Sequence, residues 1–240
     1  MSDTTHILNL SRADLQGKDF RLKDMRHANL SSANLQKASF IDADLSFSLM
    51  VGAKIAGADL SGANVSNADL TAADLRFCCL SRLMAAHAKL SSTLMTGANL
   101  TNANLTHADL TAARLNLCAL HGTNLQGAIL RCVNFRHADL TSANLNDTDL
   151  TGADFTGAKL TGATFFGSNL EQAIGDFQRL GVVKNPKSSP DKQRQFIPAA
   201  ANSYRVWPLS YDRIITGRKP SFCRVIPARN PMEREKGASH

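Results

Sequence analysis

The sequence predicts an all-β solenoid, a coil that turns a corner once every five residues. Three observations carry this. Every fifth residue from Leu10 to Leu170 is apolar without a gap: 33 positions, of which 22 are Leu and five are Phe. Two residues before each centre the side chain is mostly small, as at Ala13, Ala28, Ala33, Ala43, Ala58, Ala98, Ala138 and Ala153. Between the two sits mostly Asp or Asn, as at Asp14, Asn29, Asn34, Asp44, Asp69 and Asn99.

A period of five excludes the ordinary elements. A helix turns about 100° per residue, so positions five apart spiral round its whole surface and no face stays apolar. A strand alternates every two residues, so an odd period throws successive leucines to opposite faces. If each five-residue unit instead forms one side of a square, every centre points inward, together with the small residue two before it. Stacked turns then pair backbone to backbone along the axis, which satisfies the peptide groups. The weakest centre is Ala85. Glycines such as Gly52, Gly57, Gly62 and Gly152 fall on the last position of the unit, where a turn wants a small residue.

The segments ADLTAADL (68–75) and ANLTNANLTHADL (98–110) show the unit plainly. They resemble the pentapeptide-repeat family, with its A(D/N)LXX consensus, over residues 8–173. The resemblance implies a right-handed quadrilateral parallel β-helix of four units, 20 residues, per coil. The 33 units then make about eight coils, roughly 40 Å long at about 4.8 Å per rung. Both ends need caps. Residues 1–7 are expected to form the N-terminal cap. Residues 174–182 are expected to form the C-terminal cap, within a short helix over Glu171–Leu180 in which Ile174, Phe177 and Leu180 can cover the last coil.

Charge is unevenly spread. The chain has 240 residues and a net charge of +7. Residues 8–173 carry 14 basic and 14 acidic groups, whereas residues 174–240 carry 13 basic and five acidic. All seven prolines lie between Pro186 and Pro231. Residues 183–240 thus read as a basic, proline-rich, irregular tail, disordered in isolation. No apolar run of about 18 residues exists, which argues against a transmembrane helix. The first fifteen residues show no basic n-region and no apolar h-region, so no secretory signal is read. The five cysteines form no CxxC pair and fit free thiols in a reducing, cytoplasmic setting.

No catalytic constellation emerges, and no cofactor or metal is expected. The acids recur as a repeat position, so a pair of them is not a sign of acid/base chemistry. Cys78 and Cys118 occupy the small inward slot and read as packing residues, while Cys79 and Cys132 are expected to face outward. His27, His87 and His107 share one column, but no third ligand stands with them.

The repeat breaks its polar rule at Ile41, Phe47, Leu49 and Val51, and again at Phe77, Cys79 and Met84. These are candidate partner-binding residues. They are expected to sit at different angles rather than in one stripe. Tyr204, Trp207 and Tyr211 are candidate anchors in the tail, and direct nucleic-acid binding is expected only there.

The leading expectation is a non-enzymatic protein-interaction scaffold with a protein partner, a second copy included. An alternative comes from the resemblance: some family members protect a type II topoisomerase, bacterial gyrase, by mimicking duplex DNA. DNA carries one charge per about 1.7 Å of axis. A neutral body without insertions fits that poorly. A further alternative is a secreted bacterial effector that binds a host protein or membrane.

Overall fold

A computed structural model of the chain describes residues 8–175. The N-terminal cap (1–7), the capping helix from residue 176 on and the tail, with Tyr204, Trp207 and Tyr211, lie outside the described residues. Within them the chain forms a parallel β-solenoid. Each outward residue before a centre is bridged to the residue 20 further on, from Asn9↔Asn29 to Asp154↔Ile174. Four five-residue sides therefore complete one coil. We number the sides by their outward residues: side 1 begins at Asn9, side 2 at Asp14, side 3 at Asp19 and side 4 at Asp24. The bridges are single residue pairs rather than extended strands, because a corner follows within two residues of each centre.

The five residues 30–34 show where the backbone groups go. Leu30 N–H donates to Leu49 O at 2.7 Å, and Ser32 N–H to Val51 O at 2.9 Å, both one coil on. Asn34 N–H donates back to Ala13 O at 2.9 Å. Ala33 N–H closes the corner onto Leu30 O at 3.1 Å. The fifth donor, Ser31 N–H, has no backbone acceptor. It donates instead to Asn29 Oδ1 at 3.1 Å. The same bond recurs at Asp44, Asp59, Asn64, Asp69 and many later units. This Asx geometry is why Asp or Asn stands before the centre: a side-chain oxygen two residues back is placed to accept that N–H.

The last residue of every unit has a positive φ. All 33 of these positions do: 11 are glycine and 22 are not. None of the 22 is Val, Ile or Thr, the residues for which the left-handed region is most strained.

From Met25 to Phe155 the centre of every unit, with the small residue before it from Ala28 on, points inward and is buried; the first coil is less covered, and Lys18 and Lys23 are exposed. Leu60, Leu80 and Leu100 are among the buried centres. Phe20 stacks on Phe40, and Phe135 on Phe155, at centroid separations of 5.0 and 4.9 Å. The gap at Ala85 is offset by its neighbour: Leu83 occupies the small slot of the same unit, and both are buried. Large and small have changed places. Hydroxyls and thiols in small slots reach core carbonyls. Thr93 Oγ1 donates to Leu90 O at 2.7 Å, Thr123 Oγ1 to Leu100 O at 2.8 Å and Cys118 Sγ to Met95 O at 2.8 Å. Among the described residues, Ser48 Oγ is a buried side-chain oxygen with no hydrogen-bond partner.

The C-terminal boundary differs from the expectation. Ile174 does not begin a cap. It continues the ladder: its N–H donates to Ala153 O at 2.8 Å, and its carbonyl accepts from Phe155 N–H at 2.6 Å. It stands at an outward position of side 2, 54% exposed, and does not cover the core.

Two stability outcomes follow from this packing. Leu100→Ala is expected to lower the unfolding free energy by about 2–5 kcal/mol in urea denaturation, through lost burial and the cavity left behind. Ser48→Ala is expected to raise it by about 1 kcal/mol, because it removes a buried hydroxyl without a partner.

Candidate interaction surface

The outward residues form a grid whose rungs are about 4.8 Å apart. Most of the grid is polar and paired within itself. On side 4, Asn64 Nδ2 donates to Asp44 Oδ1 at 3.2 Å and Asn144 Nδ2 to Asn124 Oδ1 at 3.1 Å. On side 3, Ser81 Oγ donates to Ser61 Oγ at 3.1 Å and Ser61 Oγ to Cys79 Sγ at 3.2 Å. Seven of the acids hold ion pairs: Asp19, Asp24, Asp69, Asp74, Asp139, Asp149 and Asp154.

Against this background the apolar residues stand out. Phe47, Leu49 and Val51 alternate along one side, with Ser48 and Met50 turned inward between them. All three are exposed, Phe47 by 51%. They cross side 1 from corner to corner on a single rung, in three neighbouring columns. His27 stacks on the Phe47 ring at 5.3 Å. Ile41 is only half-buried and belongs to the corner after side 3, outside the strip. Met84 is exposed on side 4, bridged between Asn64 and Asn104. Cys79 is a half-buried free thiol on side 3.

Phe77 is 69% exposed, at the corner after side 2. Its ring lies against the next coil, where a Cβ added at Gly97 would come within 2.8 Å of it. Two rungs on, at the same corner, Leu117 is 60% exposed. Half-buried Leu94 sits on side 2 at the rung between them. Sequence reasoning missed Leu117, together with exposed Leu22 and Ile129. Runs of neighbouring residues do not reveal them. Steps of 20 do, since Phe77, Gly97 and Leu117 then fall in one column.

Charge also segregates by side. Over residues 29–148, side 2 and the corner after it carry Lys37, Lys54, Arg76, Arg114 and Arg136 against one acid, Asp74. Sides 3 and 4 with their corners each carry a net −2, and side 1 is neutral. The total is zero, but the surface is not uniform.

Hydrogen bonds and burial shift several of the titratable groups. The Arg21 guanidinium, hydrogen-bonded to Asp19, lowers that carboxyl from 3.8 to about 2. Arg26 does the same to Asp24, again to about 2. Asp149 is partly buried, which works to raise it, but hydrogen bonds from Thr151 and Arg131 outweigh burial and hold it low. Burial pushes the Cys78 and Cys118 thiols up to about 12, so neither is a thiolate near neutrality. Cys78, Cys79 and Cys118 are free thiols. Cys132 is half-buried and is not among them, so among the described residues the all-thiol expectation holds for three of the four cysteines. His87 and His107 stack at 5.2 Å, and among the described residues no three His, Cys, Asp or Glu side chains come together to hold a metal ion. Nor, among those residues, is any helix long and apolar enough to cross a membrane.

The family model for pentapeptide repeats matches eight copies, over residues 9–46, 48–82, 86–116, 118–157 and 134–172. The chain belongs to the pentapeptide repeat family. No curated protein matches it closely enough to count as a relative. Solved structures similar to it include HetL, a pentapeptide repeat protein involved in heterocyst differentiation regulation from the cyanobacterium Nostoc. HetL is 27% identical with a TM-score of 0.41, and the match covers 75% of this chain and 91% of HetL. A trypsin-treated form of QnrB1, a plasmid-mediated fluoroquinolone resistance protein, is 18% identical with a TM-score of 0.42, over 71% of this chain and 92% of QnrB1. The pentapeptide repeat protein Rfr23 from the cyanobacterium Cyanothece is 31% identical with a TM-score of 0.23, over 53% of this chain and 64% of Rfr23.

An acid titration checks the ion pairs. Carboxyls whose folded values lie below 3.8 stabilise the fold above about pH 4 and lose that contribution as pH falls toward 2, because the unfolded chain takes up protons first. The urea midpoint is expected to fall across that window. The Arg21→Ala/Arg26→Ala variant is expected to show a shallower fall.

Proposed function

We propose that the coil is a non-enzymatic scaffold for binding a protein partner, with Phe47, Leu49 and Val51 as its primary contact. One observation carries this reading. Three exposed apolar side chains run corner to corner on a grid otherwise occupied by polar ladders and ion pairs. Burying such a strip removes apolar area from water at about 25 cal/mol per Å². A rigid scaffold loses little entropy in presenting it. Proteins of this family are generally non-enzymatic scaffolds, and the buried thiols and paired acids described above supply no nucleophile or general base. The right-handed winding implied by the family belongs to the same reading. So does a second contact through Tyr204, Trp207 and Tyr211, which lie outside the described residues.

Topoisomerase protection by DNA mimicry ranks below this. A mimic needs a strongly negative face. Half of the 14 acids in residues 8–173 are in ion pairs, and the strongest single-sign side is basic.

Affinity capture from the source cells with wild-type protein and with Phe47→Ser/Leu49→Ser tests the proposal. The expected result is a stoichiometric partner held by the wild type and lost at least tenfold in the variant, with unchanged urea denaturation. Equal capture by both would remove the strip from the account, and turnover of a substrate by the purified chain would overturn the scaffold reading itself.

A further inference from the structure

We propose that side 2 and its following corner form a second docking surface, for an acidic protein segment that carries apolar side chains. The inference rests on the scaffold reading but concerns different residues and a stated partner chemistry. The surface has two components that fall in the same columns.

The first component is charge. Over residues 29–148 five basic residues stand here against Asp74; Asp14 and Asp154 lie at the two ends of the same side. Asp74 is engaged by Arg76 at 2.7 Å, and Arg136 reaches Asp154 at 3.1 Å. Lys37, Lys54 and Arg114 are exposed and make no ion pair among the described residues. Lys54 and Arg114 lie three rungs apart on side 2, about 14 Å. The rest of the coil has no comparable excess of either sign. An acidic ligand can pair with each of Lys37, Lys54 and Arg114.

The second component is apolar. Phe77 and Leu117 project from the adjoining corner, about 10 Å apart, with Leu94 on the rung between them. The Phe77 ring lies over Gly97 of the next coil, where there is no Cβ to displace it. An extended segment can lay carboxylates along Lys54 and Arg114 and apolar side chains along Phe77 and Leu117.

The pairing of these components selects the occupant. A nucleic-acid duplex would meet the basic residues with phosphates but leave two large apolar side chains against a charged backbone, and only three cations are free to neutralise it. The chain's own residues 174–240 carry 13 basic groups against five acidic, the wrong sign for this surface. An acidic segment with interspersed Leu or Phe satisfies both components.

Fluorescence anisotropy with the full chain tests this. The probe is a labelled 12-residue peptide alternating Glu with Leu and Phe. The comparison probes are a peptide with Lys in place of Glu, an all-Glu peptide and a 12-base-pair DNA duplex. The expected result is binding of the Glu-Leu-Phe peptide that weakens at least tenfold in Lys54→Glu/Arg114→Glu and, separately, in Phe77→Ser/Leu117→Ser. Arg82→Glu/Lys89→Glu, with the same net charge change on sides 1 and 3, is expected to bind as wild type does. The basic tail is common to every variant, so these ratios isolate side 2. Four results would overturn the proposal: no binding, equal weakening by both charge-reversal pairs, tighter binding of the all-Glu peptide, or tighter binding of the duplex. Phe47→Ser/Leu49→Ser leaves side 2 intact and is expected to bind the probe normally, so failure here and failure of the primary scaffold reading are separately visible.

Discussion

The whole structure depends on one constraint: a chain that turns every five residues must still find an acceptor for each backbone N–H. Four of the five are satisfied by neighbouring coils and by the corner itself, as Leu30, Ser32, Ala33 and Asn34 show. The fifth is satisfied by a side-chain oxygen from Asp or Asn two residues back. Composition follows from this. The recurrent Asp and Asn are backbone acceptors before they are surface charges. Where the outward residue is something else, the acceptor is given up and a different side chain is gained. Leu49, Lys54, Met84, Leu94, Arg114 and Ile129 all stand at such positions. The residues with most to offer a partner are therefore those that have left the structural role of their slot.

Packing imposes the second limit. The interior admits one large and one small side chain per side, and in one unit their order is reversed. Leu83 with Ala85 inverts the usual pair and both remain buried. Thr and Cys enter the small slot by donating to a core carbonyl, as Thr123 does to Leu100 and Cys118 to Met95. Ser48 enters it without a partner, beneath the exposed strip of Phe47, Leu49 and Val51. At the corners, side chains lean over the following coil, which is why Phe77 and Gly97 occur 20 residues apart.

Much of this was legible in the sequence. The unbroken fifth-residue pattern is fixed by burial, so Leu60, Leu80 and Leu100 could be placed inside without coordinates, and the Asn ladders followed from the 20-residue register. The candidates Phe47, Leu49, Val51, Phe77 and Met84 are exposed, because apolar residues at outward slots have nowhere to hide in a coil this narrow. Leu117 escaped notice because its partner in space, Phe77, is 40 residues away in sequence. The basic character of side 2 escaped for the same reason, since adding corner positions to the outward columns over residues 29–148 is what gathers Lys37, Lys54, Arg76, Arg114 and Arg136 against Asp74. Ile174 was read as a cap from its apolar character. Its place in the ladder is set by register, which takes precedence over hydrophobicity at an outward position.

The central claim is that register, rather than local propensity, holds the fold and orders the surface. Comparing two deletions tests it directly: removal of one whole coil, residues 98–117, and removal of the single residue Ala108. Both variants are followed by far-ultraviolet circular dichroism and urea unfolding. The account predicts that the 20-residue deletion keeps a β-type spectrum and a cooperative transition, because every column rejoins in phase. It predicts that the one-residue deletion broadens the transition and shifts its midpoint to lower urea, because the centres after it fall out of step with the ladder. A one-residue deletion that unfolds like wild type, or a coil deletion that abolishes the β-type spectrum, would contradict it.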